Sequence, residues 1–177
     1  MNILEVGCGK DKNPEAIGLD SNPNSDADVI HDLNVFPYPF ENNSFDVIIA
    51  DSVIEHLDNI IMVMEELHRI CISDGVIRIT VPFFGSWTAF TDPTHRHYFG
   101  IHSFDYFIKG KDLFRYHYSN IQYEMKLTRY LKGISGRLWF IDKFTLWFAN
   151  RYKYIYETRL AFIIPVEDIY FELIVKK

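Results

Sequence analysis

Short apolar runs dominate the first eighty residues. Ile3-Leu4-Glu5-Val6-Gly7 ends in Gly-Cys-Gly and reads as a buried parallel strand breaking into a loop. Ala16 to Asp20 is a second such run, closed by an acid; Asp28 to His31 is a short third, and Phe45 to Asp51 a clear fourth, again closed by a carboxylate. Between Leu57 and Cys71 the apolar positions 57, 60, 61, 64, 67 and 71 follow helical spacing, with Asp58 as the predicted N-cap and Gly75 as the predicted stop. Val76 to Val81 gives a fifth strand, ended by Pro82. Beyond it, Asn120 to Arg129 alternates like a strand, Ile134 to Asn150 reads as a helix rich in aromatic residues, and Ile169 to Val175 is a last strand.

This order predicts an α/β fold whose ligand lies outside the carboxyl ends of its strands, where the acids cluster. The connections Cys8 to Glu15 and Ser21 to Ala27 are shorter than the roughly dozen residues a helical crossover needs, so helices are missing after strands one and two. Right-handed crossovers would have placed both on one face of the sheet. The insertion at about 130–164 is apolar nearly all round, which predicts burial on more than one side. With the segment from Phe99 to Tyr118 it is expected either to cover the bare face or to pair with a second subunit in a homodimer.

With 177 residues and no Pro/Gly/Ser-rich linker, the chain reads as a single domain, 1–177. Its net charge of −6 conceals a division at Pro82: 15 acids face 4 bases before that point, and 9 acids face 14 bases after it. Four aromatic residues lie in the first part and 25 in the second, so residues 1–82 read as a cofactor half and 83–177 as a substrate half. Two unpaired cysteines, Cys8 and Cys71, support neither a disulfide framework nor a cysteine-type zinc site and suit a reducing, cytoplasmic setting. The most apolar stretch, Leu138 to Ala149, is interrupted by Asp142-Lys143 and too short to span a bilayer. Peripheral lipid contact through Arg137, Lys143, Arg151 and Lys153 ranks below core packing, and the pI of about 5.6 without an RNA-binding motif argues against nucleic acid.

The chemistry concentrates at the strand ends. A Gly7-x-Gly9 turn lets backbone approach a ligand where a Cβ would clash, and Asp20 can accept both hydroxyls of a ribose. A dinucleotide site would want a third glycine, a helix N-terminus and a more distant acid; here Lys12 occupies the place of that glycine and no helix follows. The missing first helix argues against NAD. Glu5-Val6-Gly7-Cys8-Gly9, Gly18-Leu19-Asp20, Asp32-Leu33, Phe45-Asp46-Val47-Ile48 and Glu55-His56-Leu57 together resemble a class I S-adenosylmethionine-dependent methyltransferase. The run from Pro37 to Asp46, Thr91-Asp92-Pro93-Thr94-His95-Arg96-His97 and the ending Pro165 to Leu173 narrow the resemblance to a small group of "type 11" methyltransferase-domain proteins.

The resemblance implies a Rossmann-like, mostly parallel sheet with an antiparallel edge, and S-adenosylmethionine as cofactor. It places Glu5, Gly7, Cys8 and Gly9 at the methionine end, Asp20 and Ser21 at the ribose, Asp32 and Leu33 at the adenine, and Asp51 and Ser52 at the reactive end. Lys10-Asp11 departs from the small residues usual after Gly9. Methyl transfer is an in-line displacement that asks for alignment, and for a base only where the acceptor must lose a proton. The loop after strand five holds Phe84, Trp87, Asp92, His95 and His97; Phe84 and Trp87, with His56, are expected to face the substrate, and Asp92, His95 and His97 are the candidate catalytic residues. The same three are alternatively read as loop stabilisers or as mixed N/O metal ligands, and Glu55-His56 alternatively caps the following helix. Because the transfer needs no metal, none is expected. Between Lys109 and Arg159, 11 bases against 4 acids suit an anionic small-molecule or glycan-like acceptor, although a solvated face is the commoner source of such a run. A non-catalytic protein that binds the methyl donor as a regulatory subunit is the alternative function.

Overall fold

The computed structural model describes residues 1–133 and 139–177. Seven strands form one sheet: β1 (Ile3–Val6), β2 (Ala16–Asp20), β3 (Val29–Ile30), β4 (Phe45–Asp51), β5 (Cys71–Pro82), β6 (Gln122–Gly133) and β7 (Val166–Lys176), in the order β3-β2-β1-β4-β5-β7-β6. β1 to β5 run parallel, and β7 lies antiparallel between β5 and β6. The order reverses at β1, which opens a crevice beyond the carboxyl ends of β1 and β4, the usual ligand position in such sheets.

Helix α1 (Ile60–Ile70) joins β4 to β5 and differs at both ends from its sequence pattern. Its N-cap is Asn59 rather than Asp58, the amide oxygen accepting from Ile61 N (3.1 Å) and Met62 N (3.2 Å). Asp58 pairs instead with Arg96. The helix stops at Ile70 because Cys71 turns extended and already pairs with Phe45. Gly75 therefore lies inside β5, where a Cβ would sit 2.6 Å from Cys71 Sγ. No helix lies between β1 and β2 or between β2 and β3.

The two faces of the sheet differ. Leu4, Val6, Ile48, Ala50, Ile77, Ile79, Ile169, Phe171 and Leu173 form one face and are buried under α1 and the aromatic segments. Tyr123 anchors α1 there, its hydroxyl donating to Met64 O (2.7 Å). The opposite face carries a small cluster of Ile3, Ala16 and Val47 with Ile49 and Val76 half-buried. It then turns polar: Arg78 pairs with Glu172 (3.7 Å), Lys126 reaches the same carboxylate, and Tyr170 OH donates to it (2.8 Å).

The later segments do not cover this polar face as expected. Phe104 packs on Phe171 (4.8 Å between ring centres) and Tyr156 on Tyr130 (5.0 Å), both on the α1 side. Helix α2 (Trp139–Arg151) runs along the outer strand, where the Asn150 amide bonds both Tyr130 N (2.9 Å) and Tyr130 O (3.0 Å). The strand sequence explains why: β7 alternates buried apolar and half-exposed polar residues, so apolar side chains gain burial on one face only. Nor is α2 buried on more than one side among its described side chains. Ala149 and Thr145 are inside, whereas Phe144 (64% exposed) and Trp147 (57%) are not. Residues 134–138 of the predicted helix lie outside the described residues, and of Trp139 and Phe140 only the backbone is described. No helix among the described residues is long and apolar enough to cross a membrane.

Candidate functional site

Beyond β1, β2 and β4 lies a crevice of about 320 Å³ lined by Gly7, Asp20, Ser21, Asp32, Leu33, Asn34, Ser52, Val53, His56 and Leu57. Its floor follows from two glycines. Gly7 has φ +67°, and a Cβ there would lie 2.4 Å from Val53 Cγ2, so the turn closes against the end of β4 only without a side chain. Gly9 has φ +57° with open space where its Cβ would be, and its N–H donates to Asp20 Oδ2 (2.9 Å). Asn22 N donates to Asp20 Oδ1 (2.8 Å). Both carboxylate oxygens thus hold backbone in place and retain lone pairs for a ligand. Ser52 also lies in the left-handed region (φ +52°), held by its N–H to Thr80 O (2.9 Å).

The run from Pro37 onward has a physical role at this crevice. Tyr38, fully buried, donates its hydroxyl to Leu33 O (2.9 Å) and its N–H to Glu66 Oε2 (2.9 Å). Arg69 bonds Glu66, Tyr38 O and Phe40 O, so α1 clamps the turn that carries Leu33 to the crevice wall. Burial works against the Glu66 charge, but the Arg69 guanidinium and the Tyr38 amide together hold its carboxyl below the ordinary value. Asp32 accepts from Asn34 N (2.9 Å) through one oxygen, in an Asx turn.

Six of the ten expected cofactor residues line the crevice: Gly7, Asp20, Ser21, Asp32, Leu33 and Ser52. The other four support it from outside. Glu5 points to the opposite sheet face and accepts from Asn13 N (2.6 Å), pinning the loop that replaces the first helix. Cys8 is buried beneath the turn, and burial pushes its thiol up, which makes it inert. Gly9 holds Asp20, and Asp51 accepts from Ser52 Oγ (3.3 Å). Asn34, Val53 and Leu57 were not expected; Asn34 Oδ1 accepts from Asp58 N (2.8 Å), joining the turn at residues 32–34 to the segment before α1.

The residues expected to face the substrate and do chemistry separate. His56 lines the crevice, but Phe84 is packed against Phe83 (4.6 Å) and Phe162 (5.5 Å), and Trp87 is 59% exposed on the short helix Thr88–Thr91's approach. Asp92, exposed, accepts from Thr94 Oγ1 (2.6 Å) and Thr94 N (2.8 Å), bonds that hold its carboxyl below the ordinary range. His97 turns its Nε2 to Leu57 O (2.8 Å). His95 donates from Nδ1 to Ala89 O (3.0 Å) and faces Glu55, with Nε2 3.9 Å from Oε1. Asp92, His95 and His97 therefore do not converge on one point; His95 converges with Glu55 and His56. Burial raises the Glu55 carboxyl to about 7, and burial, then the proximity of His95, lowers the His56 imidazole.

A second cavity, of about 480 Å³, adjoins the later part of residues 52–61. It is lined by Asp58 to Ile61, His97 to Phe99, Ser103 and the rings of Tyr106, Phe107 and Tyr118. The two hollows share this segment as their wall: residues 52, 53, 56 and 57 face the polar crevice and 58–61 the aromatic cavity.

Residues 4–79, which hold β1 to β4 and most of β5, match the family described as Methyltransferase domain. No curated protein matches the sequence. Among solved structures, a SAM-dependent methyltransferase from Archaeoglobus fulgidus superposes with TM-score 0.59 at 16% identity, over 98% of this chain and 85% of that one. A Haloferax volcanii methyltransferase in complex with the Trm112 methyltransferase activator gives 0.61 at 14% over 99% and 83%. Phosphoethanolamine N-methyltransferase 2 of Haemonchus contortus, bound to S-adenosyl-L-methionine, gives 0.56 at 14% over 99% of this chain and 48% of the longer one. At such identities the superpositions speak for the fold. With the match of residues 4–79 to a methyltransferase domain, they show that the chain has the Rossmann-like fold of S-adenosylmethionine-dependent methyltransferases, with a glycine turn and carboxylates at its strand ends.

Proposed function

We propose that the crevice at Gly7, Asp20, Asp32 and Ser52 holds the donor and that the enzyme methylates a small-molecule or glycan-like acceptor. The observation that carries this reading is the pairing of hollows on one wall, a polar one for the adenosyl group and an aromatic one for a ring-bearing acceptor. In it, Asp20 accepts the ribose hydroxyls, Asp32 accepts from the adenine amine against the apolar Leu33, and the methionine end lies over the Gly7 turn. The acidic first half favours a sulfonium cation. An acceptor lone pair attacks the methyl carbon, the sulfur–carbon bond breaks, and a neutral thioether leaves. The chain supplies alignment and exclusion of water, by the rings of Tyr106, Phe107 and Tyr118 on the acceptor side.

Calorimetric titration with S-adenosylmethionine and S-adenosylhomocysteine, followed by turnover assays on neutral, phosphorylated and carboxylated sugars and small phenols, tests this. Donor binding with transfer to at least one such acceptor supports it. Donor binding without turnover on any of these classes favours the non-catalytic regulatory reading, and transfer confined to a macromolecule refutes the proposed acceptor class.

A further inference from the structure

Glu55 is the residue that donor binding leaves unexplained. It is 1% exposed, and among the described residues its two carboxylate oxygens are the buried side-chain polar atoms without a hydrogen-bond partner. Such a group is costly unless something compensates it. Its surroundings are built rather than accidental. The Glu55 carbonyl accepts from Arg96 N (2.8 Å) and His97 N (3.3 Å), which ties the 3-10 turn Ile54–His56 to the loop after β5 and brings His95 against the carboxylate.

Both imidazoles are fixed from behind. His95 Nδ1 must carry its proton, because it donates to the Ala89 carbonyl, so Nε2 faces Glu55 as a lone pair. The Thr94 hydroxyl gives its hydrogen to Asp92, so His56 Nδ1 (2.8 Å from Thr94 Oγ1) is the donor of that pair and His56 Nε2 is also left bare. The His56 and His95 rings lie 4.7 Å apart, and Glu55, His56 and His95 each offer a ligand atom within 4.8 Å of the others. At 3.9 Å the carboxylate and His95 are too far apart to share a proton in a hydrogen bond.

We propose that Glu55, His56 and His95 bind a divalent transition-metal ion of the zinc class. Two imidazole nitrogens and one carboxylate oxygen are a borderline donor set, suited to Zn²⁺, Co²⁺ or Ni²⁺ and not to Ca²⁺ or Mg²⁺. The Ala89 carbonyl and the Thr94–Asp92 pair are the outer partners that orient ligand imidazoles. Three protein ligands leave positions for water or an acceptor oxygen. Because His56 also lines the donor crevice, an ion here would polarise an acceptor hydroxyl beside the methyl group, a consequence that rests on the donor reading above.

The site is tested on the full chain without donor, so its failure is separate from failure of donor binding. Titration with Co²⁺, followed by d–d absorption, and competition by Zn²⁺ are expected to give one ion per chain. X-ray absorption of the Zn²⁺-loaded chain should show two imidazoles in the coordination shell. Glu55→Gln and His95→Ala should each weaken affinity at least about tenfold, while His102→Gln, which removes an exposed imidazole paired with Asp105, should bind as the parent does. No stoichiometric binding by the unaltered folded chain, a shell without two imidazoles, or equal loss in His102→Gln would overturn the proposal.

Discussion

The two hollows along residues 52–61 are built on opposite principles. The crevice is made by backbone: a glycine turn and a left-handed serine whose N–H groups donate to main-chain carbonyls, and an Asp20 carboxylate that accepts from main-chain amides. The cavity is made by side chains, chiefly rings brought together from residues far apart in sequence. A ligand whose shape is constant suits the first construction, and one whose identity varies among related enzymes suits the second. Altering one hollow should therefore leave the other intact, and the sharpest tests look for that separation.

The largest effect is expected at Gly7. Gly7→Ala puts a methyl group 2.4 Å from Val53 Cγ2 in a left-handed conformation, which should cost about 2–5 kcal/mol of stability and abolish donor binding. Chemical denaturation and calorimetry would show both; a variant as stable as the parent would mean the turn is not closed as described. Next, Asp20→Ala should weaken donor affinity more than about tenfold while the fold persists, since buried hydroxyls would lose a charged acceptor.

The converse variant, Tyr106→Ala, should leave donor affinity within about twofold and raise the acceptor KM several-fold through lost ring contact. Equal effects on both ligands would erase the distinction between the hollows. The smallest effect is expected at Glu66→Gln, which loosens the clamp on Tyr38 at about 1 kcal/mol. The Glu66 carboxyl is held below its ordinary value of 4.5, so its contribution is complete above that value and is lost as pH falls below it. The melting-temperature gap between parent and variant should accordingly narrow in acid; a gap constant down to pH 3 would contradict the clamp.

The construction by backbone was the part legible in the sequence. Local signals, such as apolar runs closed by acids and a glycine pair, specify β2 and β4 to the residue and put Asp20 at the crevice, where the family resemblance adds Asp32 and Ser52. Side-chain construction was not legible, because residues such as Ile61, Tyr106 and Tyr118, which line one cavity from far apart in the chain, share no local pattern. The helix cap was misplaced by one residue, Asp and Asn being equally good caps, and the convergence of Glu55 with His95 spans forty positions. A hint did exist there: Glu55 lies next to Ile54 and close to Leu57, in an apolar setting where a carboxylate is costly. The two missing helices were anticipated from the short connections, but the packing of the later aromatic segments on the α1 side instead of on the bared face was not.

Calorimetry with S-adenosylhomocysteine, S-adenosylmethionine and NAD on the parent chain and on Asp20→Ala tests the donor crevice most directly. The account predicts one adenosyl ligand per chain, no measurable NAD binding and a loss of more than about tenfold in the variant. Binding of NAD in preference to the methyl donor, or a donor affinity indifferent to Asp20 in a folded variant, would contradict it.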